Sequence, residues 1–221
     1  MQLELIPLLQ VQYDLYAQPR SMARFNEYLA RMIDGEGELR LPLSSMNPMA
    51  KDHAARAVSS WMQLDAENLA RDVLPHIARS FAEAPGKLRL GLVVADDAGG
   101  GWTNFYTTDF AHRFESQGLL ERDFAVALLW VSIPPDAAVM IRELMTAAAR
   151  AAWQRTRGLG KTLRDLLEQE HFALTFAGGQ PKPMPAQHLD ATGAPTLFAA
   201  LYGDEAAVSL GYSPLGVEAA L

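Results

Sequence analysis

The clearest pattern along the chain is a pair of short apolar runs in its central part. The first run covers residues 88–95 and the second covers residues 124–132. The first is a short, mostly apolar run between turn signals, which indicates a strand, and the second is apolar at successive positions through Val131, which is typical of a central or parallel strand. Between them, Phe110 and Phe114 recur at helical spacing within a predicted helix over residues 108–117. This order predicts a βαβ unit with a right-handed crossover.

Helical periodicity dominates the rest of the chain. Asn47 and Pro48 have the residue types of a helix start, and Thr162 with Asp165 forms a capping-box pattern. Pro75 is expected to kink or restart the helix that contains it. The predicted helices cover residues 20–33, 48–64, 65–84, 136–157, 162–171 and 195–202. The pattern therefore predicts a helix-rich α/β fold, in which helices flank the central parallel unit.

Weaker signals predict two or three further short strands. Alternating apolar positions within residues 1–16 favour one or two strands, and residues 172–176 favour another. Residues 1–177 are expected to form a single α/β domain with a helical N-terminal half. Residues 178–221 are rich in proline and glycine, so they predict an irregular segment with a C-terminal helix that packs on that domain.

Composition narrows the class of protein. With 49% hydrophobic and 20% charged residues, the chain is too apolar to be intrinsically disordered. A net charge of −7 argues against a nucleic-acid partner. The chain contains no cysteine, which excludes disulfides and thiolate chemistry and suits a reducing compartment. No secretory signal is present and no apolar run approaches the roughly 20 residues of a membrane span, so a soluble, cytoplasmic protein without a membrane partner is expected.

The chemically richest stretch covers residues 99–113 and follows the first predicted strand. Ligands of open α/β sheets bind beyond the carboxyl ends of the strands. Consecutive glycines allow a ligand to approach the backbone, and the aromatic and amide side chains that follow can stack and donate hydrogen bonds. The predicted ligand-binding residues are Gly100, Gly101, Trp102, Thr103, Asn104 and Tyr106.

Three charged or titratable residues at the end of this stretch are the predicted catalytic group. Asp109 and His112 can act as base and acid, and Arg113 can hold an anionic group. Together they indicate a small-molecule-binding protein or a hydrolase-like enzyme whose ligand is a small anionic molecule, with no particular cofactor implied. Asp109 and Arg113 are four residues apart, a spacing that also fits an ordinary ion pair on a helix surface.

Two other classes of function stay open at this point. The first is a non-catalytic helical interaction or assembly protein, because alanines 147, 148, 151 and 152 would let helices approach closely in a homo-oligomer. The second is a metal-binding protein, because Asp109–His112 and Glu168–His171 have the spacing of carboxylate–histidine ligands on a helix.

Two other segments contain residue types that bind anions. Residues 158–162 resemble the end of a phosphate loop, but Arg155 stands where the loop needs glycine, so helix caps explain the segment better. Residues 44–53 surround a predicted helix start, where backbone amides attract anions. Lys51 and His53 would join a pocket if this segment met residues 96–113, although a solvated, well-capped helix start is the favoured interpretation.

Overall fold

The computed structural model describes residues 1–98, 103–185 and 188–212. Within them the chain has a helix-rich α/β fold, in which a three-stranded parallel sheet is flanked by helices. The predicted strands at 88–95 and 124–132 are both present and parallel, and helices connect them as expected. None of the helices in these ranges is both long enough and apolar enough to cross a membrane.

The elements follow one another as β1 Gln2–Leu5, α1 Leu8–Tyr16, α2 Met22–Met32, α3 Asp52–Gln63, α4 Ala66–Ser80, β2 Lys87–Ala95, α5 Phe105–Phe114, α6 Gln117–Leu120, β3 Phe124–Trp130, α7 Ala137–Arg157, α8 Leu163–Phe176, α9 Ala194–Tyr202 and α10 Asp204–Ser209. The strand order is β1-β2-β3, so the longest strand lies in the centre. Residues 89–95 of β2 pair with 124–130 of β3.

The short strand β1 covers only part of the free edge of β2, and α1 closes the rest. Pairing with β1 ends at Leu90. Beyond it, the buried Gln12 side chain donates to the Val94 carbonyl at 3.0 Å and accepts from the Val94 amide at 2.8 Å. Gly91 lets α1 approach this closely, since a Cβ there would lie 2.3 Å from Leu8 Cδ1. Helix α1 therefore completes the sheet edge with a side-chain amide.

The apolar core has three parts. One face of the sheet packs against α4 and α7, and the other packs against α2 and the loop that follows it. The third part joins α5, α8 and α9 through residues such as Phe110, Leu166 and Phe198. The four alanines that suggested a helix-assembly face are buried inside the first part, where they face the protein's own core.

One of the strands predicted within residues 1–16 is present as β1, but a second one at residues 11–15 and the one at residues 172–176 are wrong. Residues 11–15 belong to α1, because Leu8, Leu9 and Leu15 recur at helical spacing and bury one face of the helix. Residues 172–176 are the last turns of α8. Phe172 and Phe176 are four residues apart, and both rings pack on Phe81.

Two helix starts differ from expectation, and a restart of the helix at Pro75 is excluded. Helix α3 begins at Asp52, because the Asn47 side chain instead caps a turn by accepting from the Met49 amide. Helix α4 continues through Pro75 without restarting. Helix α5 begins at Phe105, since the Asn104 side chain accepts from the Thr107 amide and forms its N-cap.

Candidate functional site at the carboxyl edge of the sheet

Two polar segments meet where β2 and β3 end. Residues 44–53 lie before α3, and residues 103–113 form the start and most of α5. Side chains from both segments contact each other or Asp96, which follows β2 directly. The structure therefore brings the two segments together, which the sequence analysis had treated as the less favoured arrangement.

Asp96 organises the first polar cluster at this edge. It is 3% exposed, and its carboxylate accepts from His53 Nε2 at 2.8 Å and from Asn47 Nδ2 at 3.3 Å. Because a carboxylate only accepts, His53 carries its proton on Nε2 in this contact. Tyr16 donates to the Asn47 carbonyl at 2.8 Å, and burial together with the nearby Asp96 raises the Tyr16 pKa, which keeps the phenol a donor. The cluster therefore fixes the orientation of the His53 imidazole, with Nε2 as the donor to Asp96.

Ser45 and His112 form the second cluster. They are 67 residues apart in sequence, and their Oγ and Nε2 atoms are in hydrogen-bond contact. Ser45 is 6% exposed. Burial, helped by the positive charge of Arg150, lowers the pKa of His112 to about 4. The imidazole is therefore neutral near pH 7, and we assign Ser45 as the donor to an unprotonated Nε2.

A small polar cavity lies beside His112 at the outer edge of β3. It measures about 30 Å³, enough for a water molecule or two but not for a substrate. Its charged lining includes Asp109, Arg113, Glu143 and Arg150. Burial raises the pKa of Glu143. Since β3 is an edge strand of the described sheet, its outer backbone groups face this region and not another strand.

A buried ion network lies behind the cavity and links α5, α7 and α8. Arg113 lies 3.0 Å from an Asp109 carboxylate oxygen and 2.9 Å from Glu170. Arg150 donates to both Glu170 oxygens at 2.7 and 2.8 Å. Although burial opposes ionisation, Arg150 and Arg113 hold the pKa of Glu170 below its usual value. Tyr202 donates to Asp109 at 2.9 Å, so α9 joins the network as well.

These contacts locate the predicted catalytic residues. Asp109, His112 and Arg113 all line the same small cavity. His112 pairs with Ser45, whereas the Arg113 guanidinium already binds two carboxylates. The acid–base role of Asp109 and the anion-holding role of Arg113 stay predictions. In this structure the two side chains are paired with each other, and Arg113 also binds Glu170.

The predicted ligand-binding residues fall into two groups. Gly100, Gly101 and Trp102 lie outside the described residues. Of the others, Thr103 is buried and its Oγ1 has no hydrogen-bond partner within the described structure. Asn104 caps α5, and Tyr106 is 38% exposed, with its ring edge-on to the Phe105 and Tyr202 rings.

The predicted carboxylate–histidine pairs do not form a metal centre in the described parts of the chain. No group of three or more His, Asp or Glu side chains in those ranges is arranged to hold a metal ion. Asp109 is bound to Arg113 and Tyr202, and His112 is bound to Ser45.

Sequence reasoning did not find the partners that complete these clusters. Glu170, Arg150 and Tyr202 lie on three different helices, and Tyr16 lies on α1. No local spacing connects such residues, since only the fold brings them together. A polar residue at an otherwise buried helical position, such as Glu170 between Leu166 and Ala173, is the signal that could have pointed to a buried ion pair.

Comparison with protein-family models, curated proteins and solved structures finds no match to this chain. The chemistry of the clusters is therefore the basis for assigning a function.

Proposed function

We propose that this protein is a hydrolase-like enzyme acting on a small molecule, with Ser45 as nucleophile and His112 as general base. The observation that supports this proposal is the contact between Ser45 Oγ and His112 Nε2 at the carboxyl edge of a parallel sheet. A hydroxyl within hydrogen-bond reach of a neutral imidazole is the basic arrangement of nucleophilic catalysis. Because the cavity beside His112 is too small for a substrate, we propose that the substrate contacts Ser45 alongside residues 99–113, the predicted substrate-contacting stretch, and not inside that cavity.

The proposed reaction has two steps. Ser45 Oγ attacks the acyl carbon as its proton passes to His112 Nε2, and the leaving group departs with that proton. Water then attacks the acyl carbon of the acyl-serine while giving a proton to His112, the bond from that carbon to Ser45 Oγ breaks, and His112 returns the proton to Oγ as the acid product leaves. Because the pKa of His112 is lowered to about 4, the base form is present across the neutral range but is a weak base. This favours substrates with good leaving groups, such as activated esters.

The compartment and partners follow from composition. A chain without cysteine is compatible with the reducing cytoplasm, which we propose as its location. The net charge of −7 supports a small-molecule substrate over nucleic acid.

A fluorophosphonate probe tests the proposal without knowledge of the substrate. In the expected reaction a bond forms between Ser45 Oγ and phosphorus, the P–F bond breaks, fluoride leaves, and the hydroxyl proton goes to His112. Peptide mass spectrometry should place the label on Ser45. Ser45→Ala should abolish labelling, and His112→Gln should slow it about 100-fold, the usual contribution of a general base.

Two matched variants serve as controls. Ser44 is the exposed neighbour of the proposed nucleophile, and His76 is an exposed imidazole on α4. Ser44→Ala and His76→Gln should both leave the labelling rate unchanged, and circular dichroism should show that every variant is folded. Absence of label on Ser45 in the wild type, or equally fast labelling in His112→Gln, would overturn the proposal.

A further inference from the structure

Arg24 is a buried guanidinium without a carboxylate partner. It is 4% exposed, and no ion pair in the described ranges includes it. Its Nη1 donates to the Gln18 carbonyl at 3.3 Å and its Nη2 to the Ala50 carbonyl at 3.1 Å. The buried Nε has no hydrogen-bond partner. The only hydrogen-bond acceptors of the Arg24 guanidinium in the described structure are therefore backbone carbonyls, and its other contact is with the face of the Tyr16 ring, 5.5 Å away.

A buried guanidinium with incomplete hydrogen bonding lowers the stability of the folded protein. A buried charge destabilises the fold unless an opposite charge or a full set of hydrogen bonds compensates for its lost hydration. Burial lowers the pKa of Arg24, which is the expected sign of an undercompensated cation. Arg113 and Arg150, by contrast, are both paired with Glu170. Arg24 is more buried than Arg113 and Arg150, yet unlike them it has no carboxylate within ion-pair distance in the described structure.

Arg24 lines a surface cavity of about 600 Å³ between α1, α2 and the start of α3. Two further cations, Arg20 and Lys51, also line it, and Asp52 is the only carboxylate among its lining residues. Arg20 and Lys51 are exposed and form no ion pair in the described structure. The cavity therefore carries an excess of positive charge.

The start of α3 adds donors on the same side. Lys51 is the N-cap residue of this 12-residue helix, and no side chain caps its first turn. The leading amides of a helix attract anions because they have no partner within the helix. The backbone amides and the three cationic side chains are two independent kinds of group that can donate hydrogen bonds to an anion in this cavity.

We propose that this cavity binds the phosphate or carboxylate group of a small anionic molecule. Guanidinium and ammonium groups form charge-assisted hydrogen bonds with both types of oxyanion. The cavity volume falls within the usual range for small-molecule sites, so the organic part of the ligand has room as well. The proposal does not depend on Ser45 or His112, because neither residue lines this cavity.

Calorimetric titration with inorganic phosphate and with citrate, at constant ionic strength, tests the site. At least one of the two anions should bind the wild type saturably at one site per chain. The double variant Arg20→Ala/Lys51→Ala should bind it at least about tenfold more weakly, since two charge-assisted contacts are lost. Both residues are exposed, so the variant should fold normally, as circular dichroism will show.

A second cation-lined cavity supplies the matched control. It has a volume of about 620 Å³ and includes Arg157 and Lys161 in its lining. Arg157→Ala/Lys161→Ala makes the same change in net charge and should leave binding unchanged. Binding of phosphate alone identifies a phosphorylated ligand, and binding of citrate alone identifies a carboxylate ligand. The proposal is overturned if neither anion binds saturably, if Arg20→Ala/Lys51→Ala binds like the wild type, or if both double variants lose affinity equally.

Discussion

Replacing Glu170 by glutamine should destabilise the protein strongly. The Glu170 carboxylate is 0% exposed and accepts from Arg113 at 2.9 Å and from Arg150 at 2.7 and 2.8 Å. The substitution preserves the shape of the side chain but removes one negative charge from between two partly buried guanidinium groups. Arg113 keeps Asp109 as a partner, whereas Arg150 loses its carboxylate, and breaking a buried pair in this way typically costs about 3–5 kcal/mol. For a chain of this length the melting temperature should fall by about 10 °C.

Urea unfolding followed by circular dichroism at pH 7 measures this loss directly. Glu168→Gln, two residues earlier on α8, is the matched control, since Glu168 has no ion pair in the described structure. It should change the free energy of unfolding by less than about 0.5 kcal/mol. A loss below about 1 kcal/mol for Glu170→Gln, or equal losses for the two variants, would refute the reasoning.

A quadruple substitution separates the value of the network from the cost of breaking it. Replacing Arg113, Arg150 and Glu170 together by methionine, methionine and leucine, in an Asp109→Asn background, removes all four charges of the network at once. Buried ion networks exchanged for apolar residues of similar size often lose no stability. The quadruple variant should therefore unfold at a higher urea concentration than Glu170→Gln alone, and a lower midpoint would show that the network contributes net stability.

Two further predictions concern Gln12 and His112. Gln12→Leu leaves the buried Val94 amide and carbonyl without partners, so it should lower the free energy of unfolding by about 2–5 kcal/mol and speed hydrogen exchange at the Val94 amide. Gln10→Leu, on the exposed face of α1, is the control and should do neither. An unchanged exchange rate at Val94 in Gln12→Leu would contradict this. Because the His112 pKa falls from 6.5 to about 4 on folding, the unfolded chain binds more protons between these values, and stability should fall by about 3 kcal/mol as the pH drops from 6.5 to 4. The wild type should lose this much relative to His112→Gln in urea unfolding across that range, and parallel losses would contradict the lowered pKa.

The parts of the fold that the sequence predicted are those that local pattern determines. Strand β3, and β2 from Leu90 onward, are apolar on both faces because helices cover both faces of the sheet, and this produces continuous apolar runs. Helix α1 was missed for a tertiary reason. Its Gln12 is polar in sequence yet fully buried, because the side-chain amide pairs with an edge that β1 leaves open.

The sequence was enough to predict where the candidate site lies, but not which residues come together to form it. Ligand sites at the carboxyl ends of strands are a topological regularity, so residues 96–113 could be singled out from the order of elements. The partner of His112 could not, because Ser45 comes from a loop 67 residues away. Arg24 gave no signal at all, since an arginine in a surface-helix pattern reveals neither its burial nor its missing counter-ion.

The ion network and the proposed nucleophile are connected through α5. His112 and Arg113 are consecutive, and Arg113 binds Asp109 on α5 and Glu170 on α8. These pairs fix how α5 is rotated and therefore whether His112 points at Ser45. If the network only positions this helix, the quadruple variant should still be labelled by the fluorophosphonate at Ser45, because its refilled core holds α5 in place. If Arg113 instead holds an anionic substrate group, that variant should keep its labelling but lose turnover of anionic esters relative to neutral ones. The comparison separates a positioning role for Arg113 from the anion-holding role that its sequence context predicts.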